Sequence, residues 1–313
     1  MKLLLLDRSD DRLAAQLRAA GHRVTEMLTA PRAKVLAALP GYAGVILRSR
    51  LQIDAEFFAH APDLRFVGRL GVGVEHIDAA AAARHGVRIL NTPEGSRRAV
   101  AEHTLGLILG LLRHIPRADR EVRRDHWARR ANWGSELHGR TVGLLGYGNT
   151  GQATARLLHA FGCRVLVYDK YRRDYGDTYA TEAPLAQLQA EADILSLHLY
   201  YEPANHHLVN DAFLAAFARP IYLVNTARGW VVDTAAVVRA LDNSRLLGAA
   251  LDVNEYEDGS FARFDPAGLP DAWQRLKAMD RVILTPHLAG LTYESMARHG
   301  GVLVGKIGAL GWE

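Results

Sequence analysis

Short apolar runs alternate with amphipathic stretches along most of the chain. The first run, in MKLLLLD, is followed by a stretch with apolar residues at helical spacing, Leu13, Leu17 and Ala20. Pairs of this kind recur up to residue 95 and predict five strands with short helices between them. Because such alternation is typical of α/β proteins with parallel sheets, the first 95 residues predict a flavodoxin-like domain.

The pattern changes after NTPEGS at positions 91–96. An apolar segment from Ala99 to Arg113 predicts a long helix, and a basic, polar stretch follows it. A second series of strands and helices begins near Thr141 and ends with a strand close to His287, and the last 25 residues predict a helix. We therefore predict two doubly wound parallel-sheet domains, one of residues 1–95 plus about 289–313 and one of residues 96–288.

Composition excludes several classes of protein. The chain has 313 residues, 49% of them hydrophobic, which is enough to fill two domain cores. Its apolar runs are too short for a signal peptide core or a membrane span. The one cysteine, Cys163, cannot form an internal disulfide and is predicted to be a buried thiol. Because the net charge of +4 is dispersed, we predict a cytoplasmic enzyme with an acidic small-molecule ligand and no nucleic-acid or membrane partner.

The start of the second series contains the signal for a dinucleotide site. Three glycines between an apolar strand and a predicted helix have the GxGxxG spacing: Gly146, Gly148 and Gly151. This arrangement places a pyrophosphate at the helix N-terminus, where the amides of Asn149 and Thr150 are expected to face it. The next strand ends in Asp169, 18 residues after the third glycine, near the spacing of a carboxylate that binds the ribose 2′-OH. The stretch predicts a Rossmann domain that binds NAD, with no metal; the basic residues just after Asp169 soften the preference over NADP.

Three charged side chains follow predicted strand ends in the second series: Arg228, Glu257 and His287. Parallel strands end at a common edge, where open α/β sheets bind ligands, so we expect these groups to converge. A histidine beside a carboxylate exchanges a proton near neutral pH, and a guanidinium matches a carboxylate through two hydrogen bonds. Taken singly, each has an ordinary structural alternative: a surface ion pair, a solvated loop or a core histidine. Their shared position predicts hydride transfer to C2 of a 2-keto acid, with Arg228 holding its carboxylate and His287 supplying the proton.

Six blocks of sequence resemble those of one protein family, in the same order: RLGVGVEHID (69–78), NTPEGSRRAVAEHT (91–104), WGSELHGRTVGLLGYGNTG (133–151), NTARGWVVD (225–233), GAALDVNEYE (248–257) and TPHLAG (285–290). They are similar to the D-isomer-specific 2-hydroxyacid dehydrogenases and, within that family, most similar to the D-3-phosphoglycerate dehydrogenases. The resemblance covers nearly the whole chain and implies that Arg228, Glu257 and His287 are catalytic. A glutamine in place of Glu257 would instead have suggested a formate dehydrogenase.

The resemblance implies further contacts with cofactor and substrate. Cofactor contacts are implied for five more residues: Val72, Leu199, Thr226, Ala227 and Asp252. The backbone amides of Val72 and Gly73 are implied to bind the substrate carboxylate together with Arg228. A phosphorylated substrate needs additional cations, and the candidates are Arg48, Arg69 and Arg130. We therefore predict 3-phosphoglycerate, in serine biosynthesis, as the substrate; the alternatives are a glyoxylate or hydroxypyruvate reductase and a non-catalytic NAD-binding regulatory protein.

The sequence departs from the family pattern at two places. Tyr200 and Tyr201 stand near the position of a usual proline, in a loop expected to pass close to the adenosine. Asp258 replaces the usual proline after the catalytic glutamate, and the long segment 258–280 is interpreted as filling the surface.

The helix from Ala99 to Arg113 is apolar around most of its circumference, so with the following basic arm it predicts a homodimer interface.

Overall fold

The computed structural model of the chain describes residues 1–8, 10–257 and 268–311. As far as it is described, the chain divides into two compact units. Unit 1 consists of residues 1–97 and 290–311, and unit 2 consists of residues 98–257 and 268–289. Most of the segment interpreted as filling the surface, 258–267, lies outside the described residues.

Unit 1 is built around a parallel sheet with helices between its strands. Its strands are β1 (Lys2–Leu5), β2 (Arg23–Glu26), β3 (Gly44–Leu47), β4 (Phe66–Arg69) and β5 (Arg88–Asn91). The helices that follow them in turn are α1 (Leu13–Ala19), α2 (Arg32–Ala38), α3 (Ala55–Ala59), α4 (Ala79–Arg84) and α5 (Pro93–Leu112). Within the described residues the strand order is β2-β1-β3-β4-β5, which confirms the predicted flavodoxin-like arrangement.

Unit 2 contains a larger parallel sheet. Its strands are β6 (Thr141–Leu145), β7 (Arg164–Tyr168), β8 (Thr181–Glu182), β9 (Ile194–Leu197), β10 (Ile221–Asn225), β11 (Leu246–Leu251) and β12 (Val282–Leu284). Its helices after α5 are α6 (Ile115–Val122), α7 (Asn149–Ala160), α8 (Leu185–Glu191), α9 (Asp211–Ala215), α10 (Thr234–Asp242) and α11 (Asp271–Ala278). The described strands have the order β12-β11-β10-β9-β6-β7-β8, so the direction of winding reverses between β6 and β9. This is the Rossmann order, and it confirms the predicted fold of the second series.

The central strands of unit 2 are buried on both faces, which explains why they read as continuous apolar runs. Successive residues of β10 show this directly: Leu223 packs into the core on one face of the sheet and Val224 into the core on the other. On β6, a Cβ at Gly143 would lie 2.7 Å from Leu188 of α8, so this strand position requires a glycine for the helix to pack closely. Cys163 is a buried free thiol, as predicted.

The helices α5 and α12 (Tyr293–Gly308) lie at the two ends of the second series of strands. The predicted long helix starts earlier than Ala99, because Pro93 is a favourable first helical residue, and it ends as α5 at Leu112. The helix α12 packs within unit 1, where Leu303 shares a core with Leu3 and Leu5 of β1. Among the described residues, none of the helices has the length and apolar content that crossing a membrane requires.

Replacing Leu303 with alanine tests the packing of α12 in unit 1. The side chain is fully buried, and a Cβ at Gly68 of β4 would already lie 3.0 Å from it. The substitution should therefore lower the free energy of unfolding by about 2–5 kcal/mol, measured by urea denaturation followed by circular dichroism. Leu291→Ala, at a leucine that is 50% exposed, is the control and should change it by less than about 0.5 kcal/mol. Equal urea midpoints for the two variants would contradict this packing.

Candidate active site

The three predicted catalytic side chains lie after neighbouring strands of unit 2. Arg228 follows β10, Glu257 lies in the turn after β11, and His287 follows β12. Because β10 pairs with β11 and β11 pairs with β12, all in parallel, these segments leave the sheet at the same edge. The structure therefore brings together the turns that carry all three groups.

Glu257 and His287 form a close pair. The Oε2 atom of Glu257 lies 2.5 Å from Nδ1 of His287, and the glutamate side chain is only 9% exposed. The other carboxylate oxygen, Oε1, accepts a hydrogen bond of 2.7 Å from the backbone N–H of Asn254. Both oxygens are thus held, which fixes the carboxylate against the imidazole. The contact thus occupies Nδ1 of the imidazole.

Arg228 is presented by a turn that Asn225, the buried last residue of β10, holds in shape. The Asn225 side chain donates to the carbonyl of Arg228 at 3.0 Å and accepts from the N–H of Ala227 at 3.0 Å. The guanidinium itself is half-buried and donates through Nη1 to the carbonyl of Ala227 at 2.7 Å. Beside it, the hydroxyl of Thr226 lies 3.0 Å from that of Thr104 on α5.

Asp252 has a structural function that the sequence did not reveal. It is 1% exposed, and its carboxylate accepts hydrogen bonds from the Thr285 hydroxyl at 2.5 Å and from the amides of Leu288 and Ala289 at 3.0 and 2.9 Å. Burial alone would raise the pKa of Asp252, but these bonds and one from His103 outweigh it and hold the pKa below its ordinary value. The ionised carboxylate therefore fixes the loop in which His287 lies.

The glycine turn after β6 has the geometry that a dinucleotide needs. Gly146 has a φ of 94°, and a Cβ there would lie 2.4 Å from the carbonyl oxygen of His198. A Cβ at Gly151 would lie 2.3 Å from the carbonyl oxygen of Gly146, so both positions exclude larger residues. A Cβ at Gly148 would meet no atom within 4 Å, and no side chain caps α7 there within the described residues. The first amides of α7, at Asn149 and Thr150, are therefore open to an anion.

The two strands that flank this turn contribute further predicted residues. Asp169 follows β7, and its carboxylate accepts from the amide of Tyr147 at 2.9 Å and from those of Tyr171 and Arg172 at 3.0 and 3.2 Å. Leu199 follows β9 and lies 3.3 Å from where a Cβ of Gly146 would be. The residues present thus fit a dinucleotide, with an open helix N-terminus and a carboxylate beside the glycine turn.

Sequence reasoning missed His198, which lies near this turn. His198, at the point where the strand order reverses, bonds to the hydroxyls of Ser196 at 3.0 Å and Thr150 at 3.3 Å. Its burial lowers the pKa to about 4, so the ring is neutral. The ring centroids of Tyr201 and Trp230 lie 5.0 Å apart, whereas Tyr200 is exposed.

In the described part of the chain, no group of His, Cys, Asp and Glu side chains is arranged to hold a metal ion.

The predicted substrate residues of unit 1 follow adjacent strands. Arg48 follows β3, and its amide donates to Asp7 at 2.7 Å; Arg69 ends β4, and its Nη1 donates to the carbonyl of Leu70 at 3.0 Å. Val72 and Gly73 lie three and four residues after the end of β4. Arg50, by contrast, directs its guanidinium at backbone carbonyls of unit 1 and is explained by the fold. Arg130 lies in unit 2, in the exposed stretch after α6.

A doubly wound sheet with a glycine turn at its reversal point is the arrangement in which open α/β proteins bind dinucleotides, and in this protein a histidine–carboxylate pair lies at the same edge. Comparison with known families makes the class specific. The NAD-binding domain of the D-isomer specific 2-hydroxyacid dehydrogenases matches residues 105–289. The chain belongs to this family, which confirms both the family resemblance and the NAD-binding domain predicted from the sequence.

The relatives to which the chain is similar are named for different enzyme activities. The chain is 35% identical to a D-3-phosphoglycerate dehydrogenase of Synechocystis sp., over 84% of this chain and 46% of that protein. It is 32% identical to a hydroxypyruvate reductase of Thermotoga maritima, over 86% of this chain and 85% of that protein. A D-lactate dehydrogenase of Lactobacillus jensenii, solved with NAD+, superposes with a TM-score of 0.83 at 27% identity, covering 99% of this chain and 96% of that one. The chain spans about half the length of the phosphoglycerate dehydrogenases it matches.

Gly148→Ala should weaken NAD binding without destabilising the fold. The new methyl group meets no atom within 4 Å, yet it occupies the approach to the first amides of α7. We expect the Kd for NADH, measured by calorimetric titration, to rise at least about tenfold, while the unfolding temperature stays the same. Gly301→Ala, which also has open space around its Cβ, is the control and should leave the Kd unchanged. Equal Kd values for the two variants would contradict this cofactor site.

Proposed function

We propose that this protein is an NAD-dependent oxidoreductase that transfers hydride to and from C2 of a D-2-hydroxy or 2-keto acid. The observation that carries the proposal is the 2.5 Å contact between Glu257 and His287, at the sheet edge where the β10 turn presents Arg228. A carboxylate-held imidazole, with a guanidinium on a neighbouring turn, matches the two needs of this reaction, which are a proton for the C2 oxygen and a cation for the carboxylate.

Each residue of the set has one task in this proposal. Arg228 binds the substrate carboxylate and polarises the C2 carbonyl. His287 gives a proton to the C2 oxygen during reduction and accepts it during oxidation. Glu257 orients the imidazole and stabilises its charged form, as the carboxylate of a hydrolase triad does. The cofactor, when bound, would supply the hydride as NADH for reduction or accept it as NAD+ in the reverse direction.

The cofactor is proposed to bind along the glycine turn of unit 2. The residues assigned to it by motif are Gly146, Gly148, Asn149, Thr150, Gly151 and Asp169. Those assigned by family resemblance are Val72, Leu199, Thr226, Ala227 and Asp252. The carboxylate of Asp252 already accepts hydrogen bonds from Thr285, Leu288 and Ala289. Its main contribution is therefore to fix the loop that contains His287.

For the substrate we propose 3-phosphoglycerate and its keto acid, 3-phosphohydroxypyruvate. Arg48 and Arg69 support it, because they follow paired parallel strands and thus lie at one edge of the unit 1 sheet. Two guanidinium groups are suited to a phosphate that a smaller keto acid lacks. The amides of Val72 and Gly73 are proposed to assist Arg228 at the substrate carboxylate, and Arg130 is a third candidate for the phosphate.

A reductase of hydroxypyruvate or glyoxylate is the second candidate. The observation that favours it is the similarity to the hydroxypyruvate reductase of Thermotoga maritima, which is 32% identical over 86% of this chain. The third candidate is a non-catalytic NAD-binding regulatory protein. We rank it last because binding NAD alone does not require a buried Glu257 held against His287.

Oxidation of NADH with four keto acids separates these candidates. We expect 3-phosphohydroxypyruvate to exceed hydroxypyruvate, glyoxylate and pyruvate in kcat/KM by about a hundredfold, or roughly 3 kcal/mol of transition-state binding. Arg69→Gln should abolish most of this preference, whereas Arg84→Gln, at an exposed arginine of α4, should not. Equal rates with the small keto acids would establish the reductase instead. Absence of turnover with all four would contradict the proposed activity.

We also propose a homodimer through the helix from Ala99 to Arg113 and the arm that follows it. Trp127 and Trp133 in this arm are each 75% exposed, and exposed apolar groups on one segment favour an interaction surface there. On α5, Gly106 is exposed with open space around it.

Light scattering should therefore give twice the 34.4 kDa mass of one chain. Gly106→Glu, which places a charge on the proposed interface, should shift the protein towards the single-chain mass. A wild-type mass of 34.4 kDa by light scattering would contradict the dimer.

A further inference from the structure

A second histidine–carboxylate pair lies in the same turn as Glu257, two residues before it. Oε2 of Glu255 lies 2.6 Å from Nε2 of His207. Its other oxygen, Oε1, accepts a hydrogen bond of 2.9 Å from the amide of Thr234, the first residue of α10. The Glu255 side chain is largely buried. This one carboxylate therefore connects the turn after β11 to two other segments of unit 2.

The turn that carries Arg228 and the turn that carries Glu257 are in direct backbone contact. A Cβ at Gly229 would lie 1.9 Å from the carbonyl oxygen of Asn254 and 2.6 Å from the amide nitrogen of Glu255. No side chain fits between the two backbones. The distance between the two turns is therefore set by the bonds that connect them. Glu255 lies at this contact.

His207 is attached to both turns. Its backbone N–H donates to the carbonyl of Trp230 at 2.9 Å, in the 3₁₀ turn Gly229–Val231 that Arg228 begins. Its side chain reaches Glu255 in the other turn. The residue has a φ of 48°, in the left-handed region that a non-glycine residue adopts at a cost. That conformation lets the amide and the ring face different turns.

We propose that Glu255 and His207 are positioning residues that hold the Arg228 turn and the Glu257 turn at a fixed separation; this rests on the proposed function. The Glu257 carboxylate is tied to the amide of Asn254, next to Glu255, so a shift of that backbone moves the carboxylate relative to His287. The glycine turn lies on β6 and α7, outside this contact. Loss of the pair should therefore slow the reaction and leave NADH binding unchanged.

Four variants test the proposal in the full-length protein. Glu255→Ala removes both contacts, and Glu255→Gln keeps an acceptor for Thr234 and a hydrogen-bonding group for His207. His207→Asn removes the ring but keeps a residue that tolerates the left-handed conformation. His60→Asn, at an exposed histidine of unit 1, is the control.

The first readout is steady-state reduction of the best keto acid together with the Kd for NADH. We expect Glu255→Ala and His207→Asn to lower kcat about 10- to 100-fold, the double variant to fall no further, and Glu255→Gln to recover most of the rate. The Kd for NADH should stay within about twofold, and His60→Asn should behave as wild type. Unchanged kcat in both single variants, with an active wild type, would overturn the positioning role while the proposed function stands.

The second readout is hydrogen–deuterium exchange without substrate, which does not depend on activity. In Glu255→Ala, amides of 228–234 and 252–257 should exchange faster together, while those of the glycine turn, 146–152, should not change. If the wild type turns over none of the keto acids, the proposed function fails and this result still decides whether the pair holds the two turns. Unchanged exchange in both segments would overturn the inference.

Discussion

The proposed chemistry depends on one hydrogen bond, between Glu257 and His287, and on the fact that parallel strands end at a common edge. Each strand end leaves backbone groups that the sheet no longer pairs, and these groups need partners when they are buried. In unit 2 the partners are side chains: Asn225 after β10, Asp252 and Glu255 after β11. The same bonds that satisfy the backbone also set where Arg228, Glu257 and His287 lie.

Much of this architecture was predictable because it depends on local sequence. Short apolar strands buried on both faces predicted both sheets, and the GxGxxG spacing predicted the open helix N-terminus at Gly148. Strand β8 was not predicted, since two exposed residues carry no hydrophobic pattern. The placement of the three charged residues after strand ends predicted that their turns share an edge.

The supporting residues were not predictable in the same way. His103 and Asp252, or His207 and Glu255, are far apart in sequence, and only the fold brings each pair together. Nor does sequence position distinguish Arg48 from Arg50, which both follow β3. The structure explains Arg50 by the fold, since its guanidinium donates to the backbone carbonyls of Leu6, Ala30 and Met27.

The most direct test of the central claim, that Glu257 and His287 act as one acid–base unit, is a double-variant cycle on kcat. The variants are His287→Gln, Glu257→Gln and the combination of the two. If Glu257 acts only through the imidazole, the double variant should be about as slow as His287→Gln alone. If the two effects multiply, the residues act independently, and the account of the site given by their 2.5 Å contact would be wrong.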